Sequence, residues 1–139
     1  MVRRDVVAKK VARSSAWLDE VDRLLARPVE LFKADLRDRD LTAFYLLLAI
    51  QEVLDLAAHW VADAGWSPPD DAPSTFDVLA DHGVIDRALA DALHRAASLR
   101  NRIAHGYATV DHARLHTEAA DGLAALRRFL VRAADAAGI

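Results

Sequence analysis

Two arginines, an amide, an imidazole and a phenol fall within the eight residues Arg100-Asn101-Arg102-Ile103-Ala104-His105-Gly106-Tyr107, against a background rich in Ala, Leu and Asp. Side chains of these types suit phosphodiester chemistry. Transphosphorylation of RNA needs one group to take the 2′-hydroxyl proton, another to protonate the leaving 5′-oxygen, and a cation to balance the charge that builds on phosphorus. Histidine titrates near neutrality and can serve as acid or base. Arginine is permanently cationic and matches the geometry of phosphate. RNA supplies its own nucleophile, so neither a serine nor a metal is required.

The elements that must carry this segment are helices. Val7, Val11, Leu18, Val21 and Leu25, with Ser14 in the remaining place, recur at three-four spacing and predict a helix over 2–26. Arg27-Pro28 ends it, because the residue before proline avoids the α region. A connector follows, with one turn of helix near Val29–Phe32. Asp40 then reads as the N-cap of a long helix over 40–64. Its apolar positions are Phe44, Leu47, Leu48, Leu54, Ala58 and Val61, widened by Leu41, Tyr45, Ile50 and Val53. So broad a stripe implies burial on more than one side, with Phe44, Leu47 and Leu48 in the core or at a dimer seam. Three of the four prolines lie in the loop from Gly65 to Pro73. Ser74 reads as the cap of a short helix over 75–82, stopped by His82-Gly83. Asp86 caps a helix over 86–104 that carries the polar segment at its end. Asp111 opens the last helix, over 111–136. Four main helices with short links predict an all-α, antiparallel four-helix bundle with one additional short helix, in a single domain over 1–139.

Composition narrows the classes further. The chain is 53% hydrophobic and 28% charged over 139 residues, enough for a packed core and too apolar for disorder. It has no cysteine, which excludes disulfides, thiolate metal sites and a thiol nucleophile. The charged start Met1-Val2-Arg3-Arg4-Asp5 and the shortness of the apolar run Ala43–Ile50 predict a cytoplasmic protein with no membrane partner. Eighteen basic residues against 21 acidic argue against a general nucleic-acid coat, yet 15 of the 18 are arginine, which leaves room for a local phosphate-binding cleft.

Each polar residue also has an ordinary explanation when taken singly. Arg100 and Arg102 can pair with Asp86, Asp91 or Asp111 on the surface. His105 can sit at a helix C-terminus for its favourable dipole, and Tyr107 can be a packing tyrosine with a wet hydroxyl. His112 and His116 stand at i, i+4 but read as solvent-exposed histidines, because Glu118 faces elsewhere and no third ligand completes a metal site. His59, His82 and His94 read as structural. Glu52 and Asp55, in the apolar helix, either orient Arg100 or Arg102 or lie on its solvent face. The segment also poses a geometric problem. On an ideal helix, residues five apart diverge by about 140°, so Arg100 and His105 point apart while Asn101 and Arg102 share a face with His105. Either the helix loosens before Gly106, or a two-fold dimer brings two copies of the segment into one cleft.

Arg100, His105 and Tyr107 together resemble the R-x4-H-x-Y signature of HepT-type HEPN ribonuclease toxins. Asn101 after the arginine, Gly106-Tyr107 after the histidine, and an Asp opening the next helix add to the likeness, which covers nearly the whole chain. The resemblance implies a metal-independent endoribonuclease without cofactor, the toxin of a type VII-like toxin–antitoxin pair. It implies a homodimer with the motif at its interface, Arg100 and His105 as catalytic residues, and Asn101, Arg102 and Tyr107 as substrate contacts. It further implies a nucleotidyltransferase (MntA-like) antitoxin that silences the toxin by AMPylating Tyr107. Negative charge and bulk there would stand beside Arg100 and Arg102. The alternative is a non-catalytic HEPN module that binds a nucleotide or partner protein through the same basic notch, and a third reading is a plain structural dimer.

Overall fold

The computed structural model describes residues 3–139, and the expected helix start at Val2 lies outside them. Its helices are α1 (Arg4–Leu25), α2 (Val29–Ala34), α3 (Leu36–Asp63), α4 (Thr75–Asp81), α5 (Arg87–Gly106) and α6 (His112–Ala137), with a 3₁₀ turn at Tyr107–Thr109 between the last two. No strand occurs among the described residues. The four long helices form the antiparallel bundle that the periodicity predicts. In cross-section α1 packs on α3 and α6, and α5 packs on the other flanks of the same two helices, while α3 and α6 meet across the middle.

Large apolar side chains from every layer meet in one core. Leu18 and Val21 of α1, Leu46, Ile50 and Leu56 of α3, Leu93 and Leu99 of α5, and Leu115, Leu126 and Phe129 of α6 are fully buried. Phe76 of α4 meets Phe129 edge-on at 5.8 Å. The α1 seam is as its sequence implies: Val7, Ser14, Leu18 and Val21 are buried.

Three local expectations are corrected. The long helix starts at Leu36, a turn before Asp40, because Asp35 is the residue that caps it: its carboxylate accepts the Asp38 N–H at 3.1 Å. Arg27 bridges Asp35 at 3.0 Å and also holds buried Asp38, tying the end of α1 to the start of α3. Asp40 is thereby free for another partner. Second, the buried stripe of α3 keeps Ile50, Val53, Leu54 and Val61 as expected but is completed by Thr42, Ala43, Leu46, Ala49, Leu56, Ala57 and Trp60. Ala58 is exposed, and of the three residues expected in the core or at a dimer seam Phe44 is 52% exposed and Leu47 and Leu48 are half-buried in the single chain, which takes Phe44 out of the core and leaves the seam open to it. A helix apolar on nearly all sides gives its sequence no unique inward face. Third, the Ser74 side chain makes no capping bond to α4; Asp71 instead accepts the Ser74 N–H at 2.9 Å.

By length and composition α3 is the one described helix apolar enough to cross a membrane, with mean hydropathy 1.6 in its most apolar stretch, but half of that stretch is buried inside the bundle.

Candidate active site

The polar segment occupies the last two turns of α5. Leu99 and Ile103, 2% and 7% exposed, fix this end of the helix to the core and so set the directions in which its polar residues project. The helix does not loosen before Gly106: α5 runs to that residue, whose φ of −160° and ψ of 37° end the α geometry. Arg100 and His105 therefore diverge within one chain, and they line different cavities.

Arg100 is half-buried against α3. One guanidinium nitrogen, Nη1, donates to Asn101 Oδ1 at 2.8 Å and the other, Nη2, to the Gln51 side-chain oxygen. It opens onto a groove of about 380 Å³ between α3, α5 and the 66–72 loop, with Gln51, Asp55 and Trp66 among its walls. His105 is exposed, and among the described residues none hydrogen-bonds its imidazole. It lines a second groove of about 470 Å³ with Asn101, Arg102, Arg114 and Glu118. Asn101 lies between the two, bonded to Arg100 on one side and bordering the His105 groove on the other. In that groove Arg102 donates to Glu118 at 2.7 Å and Arg114 to the same carboxylate at 2.8 Å, so two cations share one anion.

The aspartates expected to pair with these arginines are engaged elsewhere. Asp86 caps α5 through the Leu89 N–H at 2.7 Å and lies 3.5 Å from Arg128, Asp91 lies 3.9 Å from Arg87, and Asp111 caps α6 through the Ala113 and Arg114 N–H groups. Glu52 and Asp55 do not reach Arg100 or Arg102 either: Glu52 accepts from Lys10 at 3.0 Å and Arg13 at 2.9 Å, and Lys10 also lies 3.7 Å from Asp55. The residue that does reach Arg100, Gln51, is weakly marked in the sequence. Its only signal there is a polar side chain one helical face away from the core stripe.

Tyr107 begins the 3₁₀ turn and points away from the His105 groove. Its hydroxyl donates to Asp40, the carboxylate left free by the earlier start of α3. Burial first, and then the Asp40 carboxylate, push the phenol up to about 12. His112 meets the Tyr107 ring edge-on at 6.2 Å, and its burial, reinforced by the nearby Arg39 charge, holds it below the usual imidazole range. The expectation that His112 and His116 are solvent-exposed is corrected: both are half-buried, His116 meeting Phe32 edge-on at 5.0 Å, because this face of α6 is covered by α2 and the turn after α5. Among the described residues no three His, Asp or Glu side chains converge on a metal site. Elsewhere His82 stacks on Trp66 at 3.8 Å and His94 lies 3.5 Å from Asp77, whereas His59 is exposed.

The Tyr107–Asp40 contact is open to direct test. With Tyr45→Phe leaving a single tyrosine, an ultraviolet titration should find the Tyr107 phenol ionising near pH 12. Asp40→Asn should lower that midpoint but leave it above the ordinary value near 10, because burial is the larger cause. Since the folded value is the higher one, the stabilisation it brings is fully present below about pH 10 and is lost as pH rises towards 12. A midpoint at the ordinary value, unmoved by Asp40→Asn, would remove the contact.

Residues 17–133 match the family model of HepT-like ribonucleases. The chain belongs to that family. A curated relative in sequence, an Archaeoglobus fulgidus protein named "Putative RNase", is 29% identical over 135 residues, which cover 96% of this chain and 95% of the relative. The HepT-like bundle also superposes on a tri-AMPylated Shewanella oneidensis HEPN toxin solved in complex with its MNT antitoxin, with a TM-score of 0.84 at 20% identity, covering 92% of this chain and 96% of the other. A toxin–antitoxin MntA–HpeT structure bearing a tyrosine-to-alanine substitution gives a TM-score of 0.82 at 19% identity, covering 91% and 96%.

Proposed function

We propose that this HepT-like chain is a metal-independent endoribonuclease that works as a homodimer in the cytoplasm, as the toxin of a toxin–antitoxin pair. The observation that carries the reading is the state of Arg100 and His105. Among the described residues the arginine is held on the α5 surface by neutral partners only, and the imidazole stands exposed with neither ring nitrogen hydrogen-bonded. Arg100 would bind the scissile phosphate and balance its transition-state charge, and His105 would exchange the proton. Asn101 would orient Arg100, and Arg102 would hold a flanking phosphate once Glu118 turns to Arg114 alone.

Divergence of Arg100 and His105 on an intact helix supports the dimer, since a two-fold axis beside α5 would set the arginine of one chain against the histidine of the other. The exposed edge of α3 supports it too. Phe44, Leu48, Gln51, Asp55, Ala58 and Ala62 follow one another at alternating four- and three-residue steps and lead past Arg100. The antitoxin part of the reading draws on the relatives, one of which is an AMPylated HEPN toxin bound to an MNT antitoxin. AMPylation would fall on Tyr107.

The test is cleavage by the purified chain in EDTA, with light scattering in parallel. RNA fragments ending in 2′,3′-cyclic phosphate and a mass of two chains are expected. Cleavage that requires added divalent metal, or a stable monomer at micromolar concentration that still cleaves, would overturn the mechanism.

A further inference from the structure

We infer that Gln51 is a positioning residue for Arg100, one that fixes the guanidinium in place while leaving its positive charge unspent; this rests on the ribonuclease reading above. A phosphate-binding arginine faces two conflicting demands. It must be immobilised before substrate arrives, and the usual way to immobilise a guanidinium is a carboxylate, which cancels the charge the phosphate needs. Arg102 shows that outcome, held by Glu118 at 2.7 Å. Arg100 is held instead by two amide oxygens, those of Gln51 and Asn101. An amide oxygen accepts a hydrogen bond but brings no net charge.

Carboxylates are within easy reach in the sequence, since Glu52 follows Gln51 directly and Asp55 lies one turn on. The structure turns Glu52 to α1 and sets Asp55 between Lys10 and the wall of the Arg100 groove, without direct contact to Arg100. Lys10 and Arg13 take Glu52, and Lys10 also approaches Asp55, with the Lys10 and Glu52 side chains only 16% and 14% exposed. Asp55 keeps one further task. It accepts from Gln51 Nε2 at 3.5 Å, which orients the amide with its NH₂ towards the carboxylate and its oxygen towards Arg100. The reverse orientation would set oxygen against oxygen and N–H against N–H, so the network admits one amide orientation. The chain from Lys10 through Asp55 and Gln51 to Arg100 thus aims the guanidinium without neutralising it.

Two substitutions in the full-length chain separate charge from anchoring. Gln51→Glu keeps shape and reach and strengthens the bond to Arg100, but spends its charge. Gln51→Met keeps the volume and removes the acceptor. Cleavage in EDTA should fall in the order wild type, Gln51→Met, Gln51→Glu, with the last at least about tenfold down in kcat/KM. Melting temperature should run differently, with Gln51→Glu above Gln51→Met, because the charged bond to Arg100 outweighs the lost bond and added repulsion at Asp55. A residue with a merely structural role would make activity follow melting temperature, so a Gln51→Glu protein within twofold of wild type overturns the inference while leaving the ribonuclease reading intact. A wild-type chain that does not cleave RNA, or an Arg100→Ala chain that cleaves as well as wild type, overturns that reading and this role with it.

Discussion

Arg100→Ala and His105→Ala should each reduce RNA cleavage by at least ~10²-fold, the loss expected when a group acting in the transition state is removed. His105 is exposed, so His105→Ala should leave the melting temperature unchanged. Arg100→Ala gives up the bonds to Gln51 and Asn101 and should lower it slightly, with the helical circular dichroism retained. The more decisive measurement mixes the two inactive proteins. If each site takes its arginine from one chain and its histidine from the other, a mixed dimer carries one complete site and one doubly defective site. Random exchange should then restore about a quarter of wild-type activity. No restoration would place Arg100 and His105 of the same chain in one site, which the intact α5 helix does not favour. Activity that survives His105→Ala but disappears with chelator would replace the mechanism with metal-assisted cleavage.

Co-expression with a partner nucleotidyltransferase should add AMP to the peptide containing Tyr107 and leave Tyr45 unmodified. Tyr45 is half-buried on α3 with its ring 5.8 Å from that of Phe44, on the edge proposed to meet the second chain. Tyr107 sits in a 3₁₀ turn directly after Gly106, and among the described residues its hydroxyl is tied only to Asp40. Modification must break that bond, because a phosphodiester cannot remain beside a carboxylate without repulsion. The adduct is then expected to swing from the start of α3 towards the α5 end, where Arg102 and Arg114 offer positive charge. Mass spectrometry of the co-expressed protein should show the adduct, and Tyr107→Phe should escape both modification and silencing. AMP on Tyr45, or a Tyr107→Phe chain silenced as fully as wild type, would mean that the antitoxin acts by occlusion alone.

Helix formation, the caps at Asp86 and Asp111, the proline loop and the chemistry-bearing segment were all legible in the chain, because each depends on residues within a few positions of one another. The long helix was legible as a helix but not in its orientation. Phe44 and Leu46 are equally apolar, and only packing between α1 and α6 decides that Leu46 is buried and Phe44 exposed. Its starting residue is not legible in the chain, because Asp35 and Asp40 are equivalent caps by type, and what selects Asp35 is Arg27, eight residues away in the link after α1. That Arg100, His105 and Tyr107 fall within eight residues at the end of a helix is readable from the chain alone, since their spacing is local. What each one faces is settled by long-range packing: Gln51 for Arg100, 49 positions distant, and Asp40 for Tyr107, 67 positions distant. Those partners follow from how α3 is rotated and placed against α5, which no short-range pattern encodes.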